Sequence, residues 1–207
     1  MTRRVIVVML GAVAWAPPGA DPARWRSALA EDVVDLVATL AEVEPAIAAA
    51  GADRPLADAI AWPGMPVYDL PAARAGEAPA NRVGAALDAA ARDGYDQAAL
   101  LVADAPDLPG LILGKLFRPL TSRGVAVAPA TNPGPGLLGL AARLPAPDWL
   151  PELDMDTADA ALIRRAAPRP AEVAVTPGWR RLRTPADLAT LDPALEGWDA
   201  TRVLLGS

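Results

Sequence analysis

Apolar residues in this chain recur in two alternating patterns. Short unbroken runs come first, and each is followed by a stretch in which apolar positions return every three or four residues. Val5-Ile-Val-Val-Met9 is β-branched and continuous, and it stops at Gly11; such a run reads as a buried first strand. Asp21-Pro22 then supplies an N-cap with proline at the first helical position. Leu29, Val33, Leu36, Val37 and Leu40 follow at helical spacing, with Arg26, Glu31, Asp32 and Asp35 between them, which predicts an amphipathic helix to about Glu42. Pro45 to Ala50 reads as a short strand closed by Gly51, Ala52 to Ala61 as a short helix, and Pro66 to Asp69 as another strand. An Ala/Pro/Gly-rich loop covers 71–79, and a second helix spans Ala80 to Arg92 with Val83, Leu87 and Ala90 on one face, ending at Gly94.

The second half repeats the scheme. A strand over 97–103 precedes a helix from Pro109 to Arg123, with Leu113, Leu116 and Leu120 inward and Gly124 as its stop. Val125 to Ala128 and Leu137 to Arg143 read as strands around a turn-rich loop from Ala130 to Gly136. Asp156 or Thr157 caps a helix to about Ala166, and Glu172 to Val175 is a strand. Thr184-Pro185-Ala186-Asp187 marks a last helix start, running to about Leu191, and the residues after Pro193 read as a surface extension. Alternation of this kind demands crossover connections. It predicts one α/β domain over residues 1–192 with a doubly wound, mostly parallel sheet, and a C-terminal extension at 193–207.

Composition narrows the chemistry. The 207 residues are 53% hydrophobic and 21% charged, enough for a sizeable core and too apolar for a disordered chain. Alanine and 23 prolines inflate helix and loop signals alike. The net charge of −6, with no run of Lys and Arg, argues against a nucleic-acid partner. Cys and His are both absent, which removes thiolate nucleophiles, the usual zinc ligands and the commonest general base. Catalysis must then run on Asp/Glu, Lys/Arg, Ser/Thr, Tyr, backbone amides or a carboxylate-held metal. Arg3-Arg4, the apolar run and Ala14-Trp15-Ala16 also fit a short secretory signal. The β-branched density and the helix that follows favour a strand, and no run is long enough to span a bilayer, so a cytoplasmic protein without a membrane partner is expected. The apolar content allows a homo-oligomeric interface without locating one.

The candidate chemistry sits in Ala103-Asp104-Ala-Pro-Asp107-Leu108, where an apolar strand ends in two carboxylates. Open α/β sheets bind ligands at the C-terminal ends of their strands. Two acidic groups there suit a hard divalent cation, which in turn suits a phosphate-bearing substrate. The alternative is a solvated strand-to-helix turn.

Four segments resemble one family, the bacterial GT-A-like transferases related to molybdenum-cofactor and phospholactate guanylyltransferases. They are Asn81-Arg82-Val83 at a helix start, Ala103 to Leu108, Pro129-Ala-Thr-Asn132-Pro-Gly134 followed by Leu137-Leu-Gly-Leu140, and Arg181-Leu-Arg183-Thr-Pro-Ala-Asp187-Leu188. Their order and spacing are similar to the family's over most of residues 3–192. The resemblance implies a nucleotide-diphospho-sugar transferase fold and a nucleotide or nucleotide-sugar partner. It also implies Mg²⁺ or Mn²⁺ held at Asp104, with Asp104 and Asp107 as catalytic groups. Gly11, Arg82, Asn132, Gly134, Arg181 and Arg183 fall at the family's nucleotide- and substrate-binding positions.

The chain departs from that pattern in three places. The basic element expected after the first strand is replaced by Leu10-Gly-Ala-Val-Ala-Trp-Ala-Pro-Pro-Gly19, without charge. Asn132 stands where the family has an acid, and Arg181 and Arg183 stand where it has two more. Fixed positive charge beside a metal is unfavourable, whereas arginine forks bind phosphate well. Three readings remain open: a transferase in which arginines replace the metal, a catalytically degenerate binding or assembly protein, and solvated surface arginines at 180, 181 and 183. Asp154-Met-Asp156 is a further Asp-x-Asp candidate for metal, though helix capping accounts for Asp156 as well. The six tryptophans carry no assignment.

Overall fold

In a computed structural model of the chain, residues 2–71 and 82–206 are described. Seven strands form one sheet: β1 (Arg4–Met9), β2 (Glu44–Ala50), β3 (Val67–Leu70), β4 (Gln97–Val102), β5 (Val125–Pro129), β6 (Leu137–Arg143) and β7 (Val173–Val175). Their order across the sheet is β3-β2-β1-β4-β6-β5-β7, and all pairings are parallel except those of β6 with β4 and β5. The expected α/β fold with a mostly parallel sheet is the fold observed. β6 is antiparallel because a loop of only seven residues, 130–136, joins it to β5, too short for a crossover. All six residues of β4 are buried, as expected of a central strand covered on both faces.

The described residues form six α-helices around the sheet and on one another: α1 (Pro22–Ala38), α2 (Arg54–Ile60), α3 (Arg82–Arg92), α4 (Gly110–Phe117), α5 (Ala160–Ala166) and α6 (Asp199–Leu205). α1 and α2 pack along β1 to β3, α3 along β3 and β4, and α4 along β4 to β6. None of the described helices is long and apolar enough to cross a membrane.

Several boundaries differ from expectation for local reasons. Asp21 caps α1 by accepting from the Arg24 amide, but the helix stops at Ala38, where Thr39 takes over the last carbonyls and its hydroxyl bonds Leu36 O. Pro119 splits the helix expected from Pro109 to Arg123 into α4 and a 3₁₀ turn, Arg118–Thr121. α5 begins later than expected. Asp159, not Asp156 or Thr157, caps it by accepting from the Leu162 amide at 2.6 Å. Thr184 and Asp187 form a reciprocal capping box, but it opens a 3₁₀ segment, Pro185–Thr190. The C-terminal extension carries α6, which packs on α1. The buried Asp32 carboxylate of α1 accepts from the Ala200 and Thr201 amides at 2.9 and 2.8 Å. Ala80, Asn81 and nearly all of the 71–79 loop lie outside the described residues.

The chain runs outward from β1 through β2 to β3, then returns to place β4 on the other side of β1. The loops leaving β1 and β4 therefore diverge at one point on the C-terminal edge of the sheet, and that divergence opens a crevice.

Candidate functional site

A cavity of about 270 Å³ occupies this crevice. Met9 to Val13 from the end of β1 form one side, and Val102, Ala103 and Asp104 from the end of β4 form the floor. Arg26 and Ala30 of α1, Arg82 and Val83 at the start of α3, Leu153 to Asp156, and Arg181 complete the lining. The wall is largely aliphatic, with three arginines and three aspartates placed around it.

Asp104 is buried, and its carboxylate faces Arg181 in a bidentate pair, with Nε to Oδ1 and Nη2 to Oδ2 both at 2.8 Å. The same Nη2 donates to Asp156 Oδ1 at 2.6 Å, and Nη1 donates to the carbonyls of Leu137 and Met155 at 3.1 and 3.2 Å. A guanidinium has five N–H groups, and here each one has an acceptor. Burial alone would lower the Arg181 pKa. The charges and hydrogen bonds of Asp104 and Asp156 outweigh it, and the net shift is upward.

The segment carrying Arg181 is positioned by backbone pairing on two sides. Trp179 bridges Ala130, its carbonyl accepts from Thr131, and the Leu182 amide donates to Asp104 O. Gly178 lets this crossing close. A Cβ there would stand 1.9 Å from Pro129 O. Asn132 then grips Arg181 like a strand neighbour, accepting from its amide at 2.7 Å and donating to its carbonyl at 2.9 Å. The second Asn132 N–H donates to Asp187 Oδ1 at 2.6 Å. A carboxylate at 132 could make neither donation and would face Asp187 with like charge, which is the physical reason for an amide at this position. Burial would raise the Asp187 pKa, but hydrogen bonds from Thr184, Asn132 and the Arg183 amide hold it below the ordinary value.

Gly11, Arg82, Asp104 and Arg181 line the cavity; Asp107, Asn132, Gly134 and Arg183 do not. Asp107, expected as a second catalytic acid, lies outside the cavity lining with its carboxylate engaged within the protein. Its side chain is 1% exposed, with Trp179 Nε1 on Oδ1 at 3.1 Å and Arg180 paired to Oδ2. Asn132, expected to meet substrate, has both N–H groups and its oxygen engaged within the protein. Gly134 sits in the exposed β5–β6 loop. Arg183 donates to Pro135 O and Asp156 O, holding the loops on either side of the cleft mouth rather than reaching into it.

Arg26 and Asp156 are the residues that sequence reasoning undervalued. Arg26 read as a solvated face of α1, yet it donates from Nε to Gly11 O at 2.9 Å and pairs with Asp53 at 2.7 Å. Its signal is its place on the first turns of the helix that follows β1. Asp156 read as a metal candidate or a cap, and its carboxylate instead goes to Arg181. Arg82 lines the cleft with no hydrogen bond or ion pair among the described residues.

The uncharged loop after β1 also has a packing explanation. Trp15 stacks at a tilt on Trp25, with ring centroids 5.3 Å apart, and donates from Nε1 to Leu182 O at 3.2 Å. Trp25, Leu29 and Leu182 form a small second core against which Val13, Trp15 and Ala16 pack. Hydrophobic burial of Val13, Trp15 and Ala16 holds this loop against α1 and Leu182.

No family model and no curated protein matches the sequence. Solved structures do match. A protein assigned as a nucleotide-diphospho-sugar transferase from Desulfovibrio desulfuricans G20 is 18% identical, with a TM-score of 0.63 over 100% of this chain and 96% of that one. 4-Diphosphocytidyl-2C-methyl-D-erythritol synthase from Anaerococcus prevotii is 12% identical, with a TM-score of 0.65 over 99% and 96%. The chain has the nucleotide-diphospho-sugar transferase fold. A third match is Rv0371c from Mycobacterium tuberculosis H37Rv in complex with manganese, 18% identical, with a TM-score of 0.57 over 100% and 99%. Here the acids that could take such an ion do not fit it. Both Asp104 oxygens are held by Arg181, and no cluster of three or more metal-ligating side chains exists among the described residues.

Proposed function

We propose that this cleft binds a nucleotide or nucleotide-sugar donor, and that the protein is a nucleotide-dependent glycosyl or nucleotidyl transferase with weak or absent dependence on metal. The observation that carries this reading is the position of the cavity. It lies between the ends of β1 and β4, where strand order reverses, in a fold shared with nucleotide-diphospho-sugar transferases. The aliphatic wall from Leu10, Val13 and Val83 suits a nucleobase or sugar face. Arg82 is the lining cation whose donors have no partner among the described residues, and it supplies the charge for a phosphate.

A panel of nucleoside triphosphates and nucleotide sugars, each with and without Mg²⁺ or Mn²⁺, tests the proposal by thermal shift. A ligand at a hundred times its Kd stabilises the fold by about 2.7 kcal/mol, well within detection. Stabilisation by at least one nucleotide, lost in Arg82→Ala, is the expected result. A flat response across the panel refutes it.

A second reading, a binding or assembly protein without catalysis, is favoured by one observation: Asp107, Asn132 and Arg181 have their polar groups engaged within the protein. It predicts nucleotide binding with no product from any donor, read by chromatography of the donor after prolonged incubation.

A further inference from the structure

Asp104 and Asp156 converge on a single cation, and the chain provides that cation from its own sequence. Five oxygens surround the Arg181 guanidinium: both of Asp104, one of Asp156, and the carbonyls of Leu137 and Met155, all between 2.6 and 3.2 Å. An all-oxygen set of two carboxylates and two carbonyls is the kind that hard divalent ions take. We infer that the Arg181 guanidinium is a resident substitute for a divalent cation, closing the acid pair of this cleft to metal. The inference rests on the proposed nucleotide reading only for the identity of the ligand; the substitution of cation by guanidinium stands on the geometry alone.

Three features make the exchange durable. A guanidinium does not lose its proton in a protein, so a metal could enter only against a fixed positive charge or by expelling a buried side chain. Asn132 clamps the Arg181 backbone on both its amide and its carbonyl, so the side chain starts from a fixed point. Gly136 makes room for the neighbouring Arg183: a Cβ there would stand 2.9 Å from Arg183 Nη1, and this guanidinium donates from Nη2 to Asp156 O beside the site. Asn132 thus fixes the backbone from which the Arg181 side chain reaches the two acids.

The substitution also redistributes charge. One guanidinium brings a single positive charge to two carboxylates, where a divalent ion brings two. Its five donors are committed, so Arg181 does not bind phosphate. Positive charge for an anionic ligand must come from across the cleft, where Arg82 stands.

The test uses Mn²⁺ alone, with no nucleotide, so its failure is separate from a failure of the nucleotide reading. Free Mn²⁺ is followed by its electron paramagnetic resonance signal during titration of the wild-type chain, Asp104→Asn, Arg181→Asp, and Arg181→Asp combined with Asp104→Asn. The wild type should leave the signal unchanged. Arg181→Asp should bind Mn²⁺ at least about tenfold more tightly, a difference of roughly 1.4 kcal/mol, and Asp104→Asn should abolish the gain. Wild-type Mn²⁺ binding that Asp104→Asn removes overturns the inference. So does a folded Arg181→Asp protein with no gain in affinity. If Arg181→Asp folds only with Mn²⁺ present, circular dichroism with and without the ion shows it, and the inference is supported. If it folds in neither condition, the comparison of wild type with Asp104→Asn decides alone.

Discussion

Replacing Arg181 by methionine keeps most of the aliphatic stem and removes the charge, and the structure sets the size of the effect. Five hydrogen bonds disappear, three of them to carboxylates. Summed naively at 1–3 kcal/mol each they would exceed what any such change costs. The sum must be offset by the desolvation that the buried guanidinium no longer suffers. The net penalty comes from the partner left behind. Asp104 is 9% exposed, and its carboxylate has no other hydrogen bond among the described residues. Breaking a buried pair in this way costs about 3–5 kcal/mol. With a urea dependence near 2 kcal/mol per molar, the unfolding midpoint should fall by roughly 1.5–2.5 M. Combining Arg181→Met with Asp104→Asn should cost less than the sum of the single changes by about 2 kcal/mol. A loss under about 1 kcal/mol, the scale of a solvent-exposed ion pair, would refute the reasoning, as would strict additivity in the double variant.

Burial pushes the Asp32 carboxyl up from 3.8 to about 6 despite its hydrogen bonds from Ala200 and Thr201. The folded state holds this proton more tightly than the unfolded one, so the contribution is complete below the ordinary carboxyl pKa and lost as pH rises through about 6. The amount lost between those limits is roughly 3 kcal/mol, and Asp32→Asn should flatten the pH dependence of the urea midpoint across that window; an unchanged slope would count against the assignment. Gly178→Ala should lower stability by more than about 2 kcal/mol, since its Cβ meets Pro129 O at 1.9 Å. Gly114→Ala, on the exposed side of α4 with nothing within 4 Å, should raise it by about 0.5–1 kcal/mol. Thermal melts of the two glycine variants should move in opposite directions. Asn132→Asp should destabilise the fold by about 1–3 kcal/mol through lost donation and the new charge beside Asp187, and the loss should shrink when Asp187→Asn is added.

Much of this molecule follows from local pattern. The β-branched run of β1, the continuous apolar run of β4 and the helical spacing in α1 and α3 each encode their element, because burial periodicity is written in neighbouring residues. The place of Asp104 at the end of a central strand, and so at the ligand edge of the sheet, is equally local. The antiparallel turn of β6 follows from loop length, although the alternation of strands and helices alone did not single it out. Helix α6 escaped because its seven residues carry little periodic signal, and the Asp32 carboxylate that receives its amides lies some 168 residues away. The partners in the cleft escaped for the same reason. Arg181 and Asp104 are 77 residues apart, and Arg180 and Asp107 are 73 apart. From sequence an arginine in a polar segment can bind phosphate, stand in for a metal or face water, and nothing nearby chooses among them. The tertiary structure chooses by bringing five acceptors to five donors, because the fate of a buried charge depends on what surrounds it in space rather than along the chain.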